Sequence, residues 1–581
     1  MEIIEKTYLE IIKMNKGISL NANEEKLTVT VLSNITFNKI KDVLELPLKF
    51  NGINAEVNFG NYDNIIQDSI SYSKSDTVII HQELSNLSTK IIQNQIHFDE
   101  QTKIELINEY KTQIDLILQN LNQTRLIIYN QYSTINFFSE LINNDFINSI
   151  AFELNKYLRK KSLSLSNLKI CNIDQITSSL GIQNSLDYRS YSAFKDLYKT
   201  EWLQAYVNVI QHYIYSITGK IKKALILDCD NTLWKGILGE DGVEGISMDS
   251  STKEGEPFYY VQNSIIQLAK KGILICLCSK NNEADVDEVI EKHSDFLIKN
   301  EYITSKKVNW NDKVTNIKEI SSELNIGLDS FIFLDDSDFE VNLVKEKLPA
   351  VTTFQVPKNL SEYPSLFNKI TNYFYRDNVT KEDIQKAEEY KKQAVRNQEK
   401  STFNNIEDYI KSLEIKVKIF RNDLSHLPRM GQMAQKTNQF NFTTIRHTDN
   451  EIKNFINEHD YNVYCINVGD KFGDSGITGL IITKDYQDKS CELITFLMSC
   501  RIIGRNIEYA FLKHVINDCQ KRNIDSFKAK YIKTKKNSQV SNFFETINMN
   551  VISETDEQKV YSTLIDNIKI KNVDYIRSIN E

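Results

Sequence analysis

ALILDCDNTLWKG, residues 224–236, is the stretch on which the fold of this chain turns. Four apolar residues read as a buried strand, Asp228 stands at its carboxyl end, and Asp230 and Thr232 follow at two-residue steps. Two further runs, GILICLCS at 272–279 and SFIFLDD at 330–336, have the same form, each preceded by a helical pattern. Strand and helix alternation predicts a parallel sheet, and open parallel sheets place ligands just beyond their strand carboxyl ends. The polar residues there define a candidate site.

The chemistry of that set is specific. Carboxylates at i and i+2 can share a hard cation while one of them, Asp228, attacks phosphorus. Asp230 can give a proton to the leaving group and then take one from water. Ser279 ends the second strand, where its hydroxyl can bond a phosphoryl oxygen, with Thr232 as a further contact. Lys313, after NWND, can neutralise charge on the transferring group. Asp335 and Asp336 end the third strand and complete an oxygen shell for Mg²⁺ with Asp228 and Asp230. Phosphoryl transfer needs mainly positioning and charge neutralisation, which these groups supply.

Outward from this centre, the 581 residues suffice for three or four units. Before 217, apolar runs at 27–33, 55–59, 76–81 and 125–130 alternate with helical stretches, including 88–122 and 191–217. This predicts another α/β layer. Residues 218–375 form the central unit, with three of the six prolines in its closing stretch. Residues 376–414 read as a helical connector, and 415–581 as a further strand and helix unit, α+β in kind, with a helix at 504–521. Of only 18 glycines, five fall between Gly236 and Gly255 and four between Gly469 and Gly479, so both windows are candidate sites of tight turns or close approach.

Composition narrows the partners. Seventy basic against 78 acidic side chains, net charge −8, give no basic excess to hold a polyanion, which argues against nucleic acid. No apolar run is long enough to cross a bilayer, and eight cysteines over this length form no paired framework. The start, MEIIEKTYLE, has no signal-segment pattern. The expectation is a cytoplasmic protein with free thiols, acting on a small phosphorylated metabolite or with an acidic carrier protein, without a membrane partner.

DCDNTLWKGILGEDG at 228–242, CSKNN at 278–282, NWNDK at 309–313 and LDDSDFE at 334–340 resemble the haloacid dehalogenase-like (HAD) phosphatases, and more narrowly their FkbH-like branch. That branch usually has Leu where this chain has Cys229, and commonly Asn-Pro after the second aspartate pair, where this chain has Ser337 and Asp338. The outer metal ligand is then Asp336 by first choice. The segment after the nucleophile strand is too short for the cap domain inserted by many relatives. An open crevice, suited to a large or carrier-borne substrate, is implied.

RIIGRN at 501–506 is similar to the GNAT acyltransferase pattern Arg-x-x-Gly-x-Gly/Ala, with Asn506 in place of the last small residue. The resemblance implies a site for an acyl or pantetheine group at Cys500, Arg501, Gly504, Arg505 and Asn537, with Phe543 or Phe544 beside the arm. QKTNQFNFTT at 435–444 and DKFGDSGITG at 470–479 also match FkbH-like segments. Cys500 and Cys278 are the alternatives for a thiol carrying a covalent acyl group. The first 217 residues resemble an SGNH-hydrolase-like region, with Ser33 at a strand end. At the expected acid–base block stand Asp187, Tyr188 and Arg189, followed by Ser190 instead of histidine, which favours a binding or scaffolding role over catalysis.

The family likeness implies dephosphorylation of 1,3-bisphosphoglycerate and transfer of the glyceryl group to the phosphopantetheine thiol of an acyl carrier protein, for polyketide or related metabolism. Two alternatives stay open: a HAD phosphatase of a small metabolite or sugar phosphate fused to an acyltransferase with another acceptor, and a non-catalytic interaction protein.

Overall fold

In a computed structural model of the chain the described residues are 6–18, 26–84, 100–135, 145–375, 405–534 and 536–579, with 389, 390, 392 and 396. They divide into two compact units, Met1–Thr218 and Gly219–Glu581. Among them no helix is long and apolar enough to cross a membrane.

The first unit is built on five parallel strands: β1 (Lys26–Ser33), β2 (Asn54–Phe59), β3 (Thr77–His81), β4 (Leu126–Asn130) and β5 (Leu168–Cys171). Their order is β2-β1-β3-β4-β5. Alternating side chains of β1 enter different clusters, Val29 and Val31 one and Leu32 the other, which is why its sequence is apolar almost throughout. The helix expected at 191–217 is two helices, Tyr188–Phe194 and Thr200–Thr218. Lys195, with φ +58°, breaks it, and Leu186 then pairs with Tyr198. Of the helix expected at 88–122, Glu100–Asn120 is present, and 88–99 lie outside the described residues.

The second unit carries two sheets. One holds the decisive sequence: β6 (Ala224–Leu227), β7 (Leu274–Ser279), β8 (Ile303–Val308), β9 (Phe331–Asp335) and β10 (Thr352–Gln355), all parallel in the order β10-β9-β6-β7-β8. β6 is central, so Leu225 and Leu227 fill one face while Ala224 and Ile226 fill the other. β8 and β10 escaped the sequence reading because KK and TT interrupt their apolar pattern. The first glycine window makes a tight turn instead of a cap: Gly236 sits at φ +111°, and a Cβ on Gly245 would lie 2.3 Å from the Asp241 carbonyl oxygen.

The other sheet comprises β11 (Lys416–Arg421), β12 (Phe440–Asn441), β13 (Tyr461–Asp470), β14 (Gly473–Asp485), β15 (Ser490–Met498), β16 (Ser526–Ile532), β17 (Val551–Glu554), β18 (Gln558–Leu564) and β19 (Arg577–Ser578). It is mixed. β15 and β16 run parallel around the helix Ile507–Lys521, and β13 to β15 are antiparallel neighbours. The second glycine window is the β13–β14 hairpin. Gly479 lets β13 and the helix close in, since a Cβ there would lie 2.6 Å from Ile466 and 3.1 Å from Phe511. Of the connector expected at 376–414, the helix Ile406–Ser412 is described and most of the rest lies outside the described residues.

Candidate active site

The carboxyl ends of β6, β7 and β9 lie side by side because β6 pairs with both neighbours in parallel register. One ligand atom from each of Asp228, Asp335 and Asp336 lies within 4.8 Å of the others. Lys313 is the first residue of the helix Lys313–Leu324, capped by the Asp312 side chain, and its aliphatic stem is buried. Its Nζ donates to Asp228 Oδ1 at 2.7 Å and to Asp335 Oδ2 at 2.5 Å. The other Asp335 oxygen accepts the Ser337 N–H at 2.9 Å, and Ser337 caps the helix Asp338–Lys347.

Burial, reinforced by the Asp228 charge, pushes Asp335 upward and Asp336 up to about 6. Burial opposes the charge on Lys313, but Asp228 and Asp335 outweigh it and hold the ammonium well above its ordinary value. One cation thus faces three crowded carboxylates. Such a hard, all-oxygen donor set fits a divalent ion of the Mg²⁺ type.

Asp230 is placed differently from the expectation. Its carboxylate accepts from Trp234 Nε1 at 3.0 Å, the Leu238 N–H at 3.0 Å and Asn281 Nδ2 at 2.9 Å, and it is not part of the three-carboxylate group. Three donors fix its orientation, while burial raises its pKa. This suits a proton donor and acceptor better than a metal ligand. Trp234 and Asn281 were not assigned from sequence. The signal for Trp234 was its i+4 spacing from Asp230 with an apolar ring to bury.

Ser279 ends β7 and is buried. Thr232 is fully buried, and its hydroxyl has no hydrogen-bond partner among the described residues, while its carbonyl accepts from Tyr363 at 2.8 Å. Leaving a buried hydroxyl unpaired costs about 1–3 kcal/mol. Pairing with a ligand oxygen removes that cost.

The acyl-site expectations fare less well. Arg505 is buried and spent on an ion pair with Asp470 at 2.9 Å, the same carboxylate that binds Arg396 at 2.8 Å, and on the Arg501 carbonyl at 2.6 Å. Asn537 is fully buried and saturated: its Nδ2 donates to the Asn441 and Ile532 carbonyls at 2.9 and 2.8 Å, and its Oδ1 accepts from the Thr534 N–H at 2.8 Å and Tyr531 OH at 3.2 Å. Asn537 thus has no polar atom left for a pantetheine arm. Phe543 and Phe544 pack in the core.

The reason lies in QKTNQFNFTT. β15 and β16 pair only at Ser490–Leu493, and beyond that Phe440 and Asn441 pair with Met498 and Leu497. Phe442 donates to the Phe496 carbonyl at 3.1 Å and accepts from the Ile532 N–H at 2.8 Å. The strand edges that an extended arm would join are already bonded to the chain itself. Gly504, at φ +82°, and Arg501 remain in the turn before the helix Ile507–Lys521. The Cys500 side chain lies outside the described residues.

Cys278 is also corrected. It packs with Ile226, Val314 and Ile317 on the face of β7 opposite Leu277, and burial pushes its thiol up to about 12. Cys278→Ala is therefore expected to leave turnover, measured as phosphate release, within about twofold, and to cost about 1 kcal/mol in a urea melt. In the first unit, Ser33 Oγ accepts the Ile35 N–H at 3.1 Å and Asp187 caps the Tyr188–Phe194 helix. Both ring nitrogens of the buried His81 are engaged, by Glu83 at 3.0 Å and Asn130 at 2.5 Å.

No protein-family model matches the chain, nor does any curated protein. Among solved structures, it is similar to the N-terminal part of the protein BF1531 from Bacteroides fragilis, which contains a phosphatase domain and is complexed with Mg. The identity is 26%, the TM-score 0.56, and the likeness covers 64% of this chain and 100% of that one. The ribosomal-protein-S18-alanine N-acetyltransferase from Escherichia coli matches 27% of this chain and 96% of its own at 12% identity and TM-score 0.21. The PaiA N-acetyltransferase from Thermoplasma acidophilum, in complex with coenzyme A, matches 26% and 98% at 13% identity and TM-score 0.21.

Proposed function

We propose that the crevice beyond β6, β7 and β9 is a Mg²⁺-dependent phosphatase site of the HAD type. The reading rests on the convergence of Asp228, Lys313, Asp335 and Asp336, with Asp230 held separately by three donors. The likeness to the Mg-complexed phosphatase domain of BF1531 supports it. Asp228, Asp335 and Asp336 would hold the ion, whose charge would offset that of the phosphoryl oxygens.

In this reading Asp228 attacks phosphorus and becomes the aspartyl phosphate, while Asp230 gives its proton to the departing oxygen. Asp230 then takes a proton from water, which attacks the aspartyl phosphate and frees inorganic phosphate. Lys313, Ser279 and Thr232 bind the phosphoryl oxygens throughout.

The substrate we propose is 1,3-bisphosphoglycerate, following the FkbH-like motifs. The thiol of a carrier protein's phosphopantetheine arm displaces the acyl phosphate at C1, and the aspartate site removes the C3 phosphate, leaving a glyceryl thioester. Acyl phosphates are already activated, so orientation of thiol and carbonyl is the main demand. The first 217 residues serve as scaffold. A second reading, a phosphatase whose acyl acceptor is not a pantetheine arm, is favoured by the strand edges closed by Phe440–Phe442. Incubating the full chain with Mg²⁺, 1,3-bisphosphoglycerate and a phosphopantetheinylated carrier separates the two. A carrier gaining the glyceryl mass supports the first reading, and phosphate release with an unmodified carrier supports the second.

A further inference from the structure

A cavity of about 360 Å³ lies inside the second unit, at the amino ends of β6 and β9 and against the helix Leu427–Lys436 and the carboxyl end of β15. Among the described residues its lining carries Lys222, Lys223, Arg429, Lys436, Arg501 and Lys536 against a single acid, Asp329. That acid is already engaged: its carboxylate pairs with Lys536, and its carbonyl accepts from Lys222 Nζ at 2.7 Å. Arg501 is 6% exposed, bonds Ser499 Oγ at 3.3 Å through Nε, and leaves Nη2 buried with no partner among the described residues. Burial pulls Lys222 down to about 8 in spite of Asp329. Cations in such excess around one small cavity repel one another, and an unpaired buried guanidinium N–H adds its own cost.

An oxyanion relieves both. We infer that this cavity is a second binding site, for the phosphate group of a small molecule or of a flexible arm, with Arg501 as its central ligand. A phosphate suits the five net positive charges of the described lining residues better than a carboxylate does, and a guanidinium fork meets its oxygens in pairs. Side chains of Gln432, Thr437, Asn438, Gln439 and Ser499 around the cavity supply further polar contacts. The site is distinct from the aspartate crevice. Lys223 to Asp228 and Ser330 to Asp335 each span five residues of the same strands, so the two lie roughly 16 Å apart at opposite ends of the sheet.

The test uses the full chain carrying Asp228→Asn in EDTA, which disables the aspartate crevice, titrated calorimetrically with inorganic phosphate and with 4′-phosphopantetheine at low salt. One equivalent should bind, more weakly as salt rises. Arg501→Met should weaken binding by at least about tenfold and Lys536→Gln by about threefold. Lys536 is 39% exposed in its side chain, so Lys536→Gln reports on the site even where Arg501→Met fails to fold. Tighter binding of 4′-phosphopantetheine than of phosphate assigns a carrier arm, and equal binding a free metabolite. The inference is overturned if neither probe binds, if folded Arg501→Met binds as before, or if phosphate binds the wild-type chain but not Asp228→Asn.

Discussion

Asp228→Asn is expected to lower phosphate release by more than about 10³-fold while leaving the fold intact. The amide oxygen keeps the position of Oδ1, which accepts from Lys313 at 2.7 Å, but it cannot attack phosphorus. The substitution also removes one negative charge from a cluster in which Asp228 raises the pKa of Asp230, Asp335 and Asp336. Thermal stability should therefore hold or rise even as turnover disappears. Steady-state phosphate release and a thermal melt on the same preparation check both halves. Unchanged release from a folded variant would show that the phosphate does not come from attack by Asp228 and would reopen the non-catalytic reading of this crevice, since no other residue in it is placed as nucleophile.

What the sequence disclosed and what it withheld divide along contact range. Asp228, Ser279 and Asp335 were legible because each ends a strand, and a parallel sheet brings neighbouring strand ends together whatever the intervening loops do. Lys313 was legible as the lysine that follows NWND, and the structure makes it the first residue of the helix Lys313–Leu324. Asp230 shows where this stops: its spacing from Asp228 suggested a shared metal, but its orientation depends on Asn281, 51 residues away. Arg505 is claimed by Asp470 at a separation of 35 residues and Asn537 by Asn441 at 96. A motif such as Arg-x-x-Gly marks a turn before a helix, and it cannot show that a distant Phe-Asn-Phe has closed the neighbouring strand edges. The cavity lining is similarly drawn from segments as distant as Lys222 and Lys536, and no local pattern announces it.

Lys313→Met is expected to carry the largest stability cost in the crevice, and a cost that depends on metal. The lysine is 3% exposed and is the only cation within hydrogen-bonding reach of both Asp228 and Asp335 among the described residues. Methionine fills the space of the stem, so packing changes little. Removing one partner of a buried ion pair costs about 3–5 kcal/mol, because the remaining charge is left without compensation. Carboxylates can retreat by taking up protons, which sets an upper limit on the loss. A divalent ion offers a second retreat: it binds the folded state and stabilises it by mass action. In EDTA the urea midpoint of the variant should fall well below that of the wild type, and millimolar Mg²⁺ should recover more stability in the variant than in the parent. Phosphate release with Mg²⁺ present should still be down by about 10²-fold, since the ammonium also faces the transferring group. Equal stabilisation of both proteins by Mg²⁺ would mean that Asp228, Asp335 and Asp336 do not share an ion, and the phosphatase reading would lose its chemistry with them.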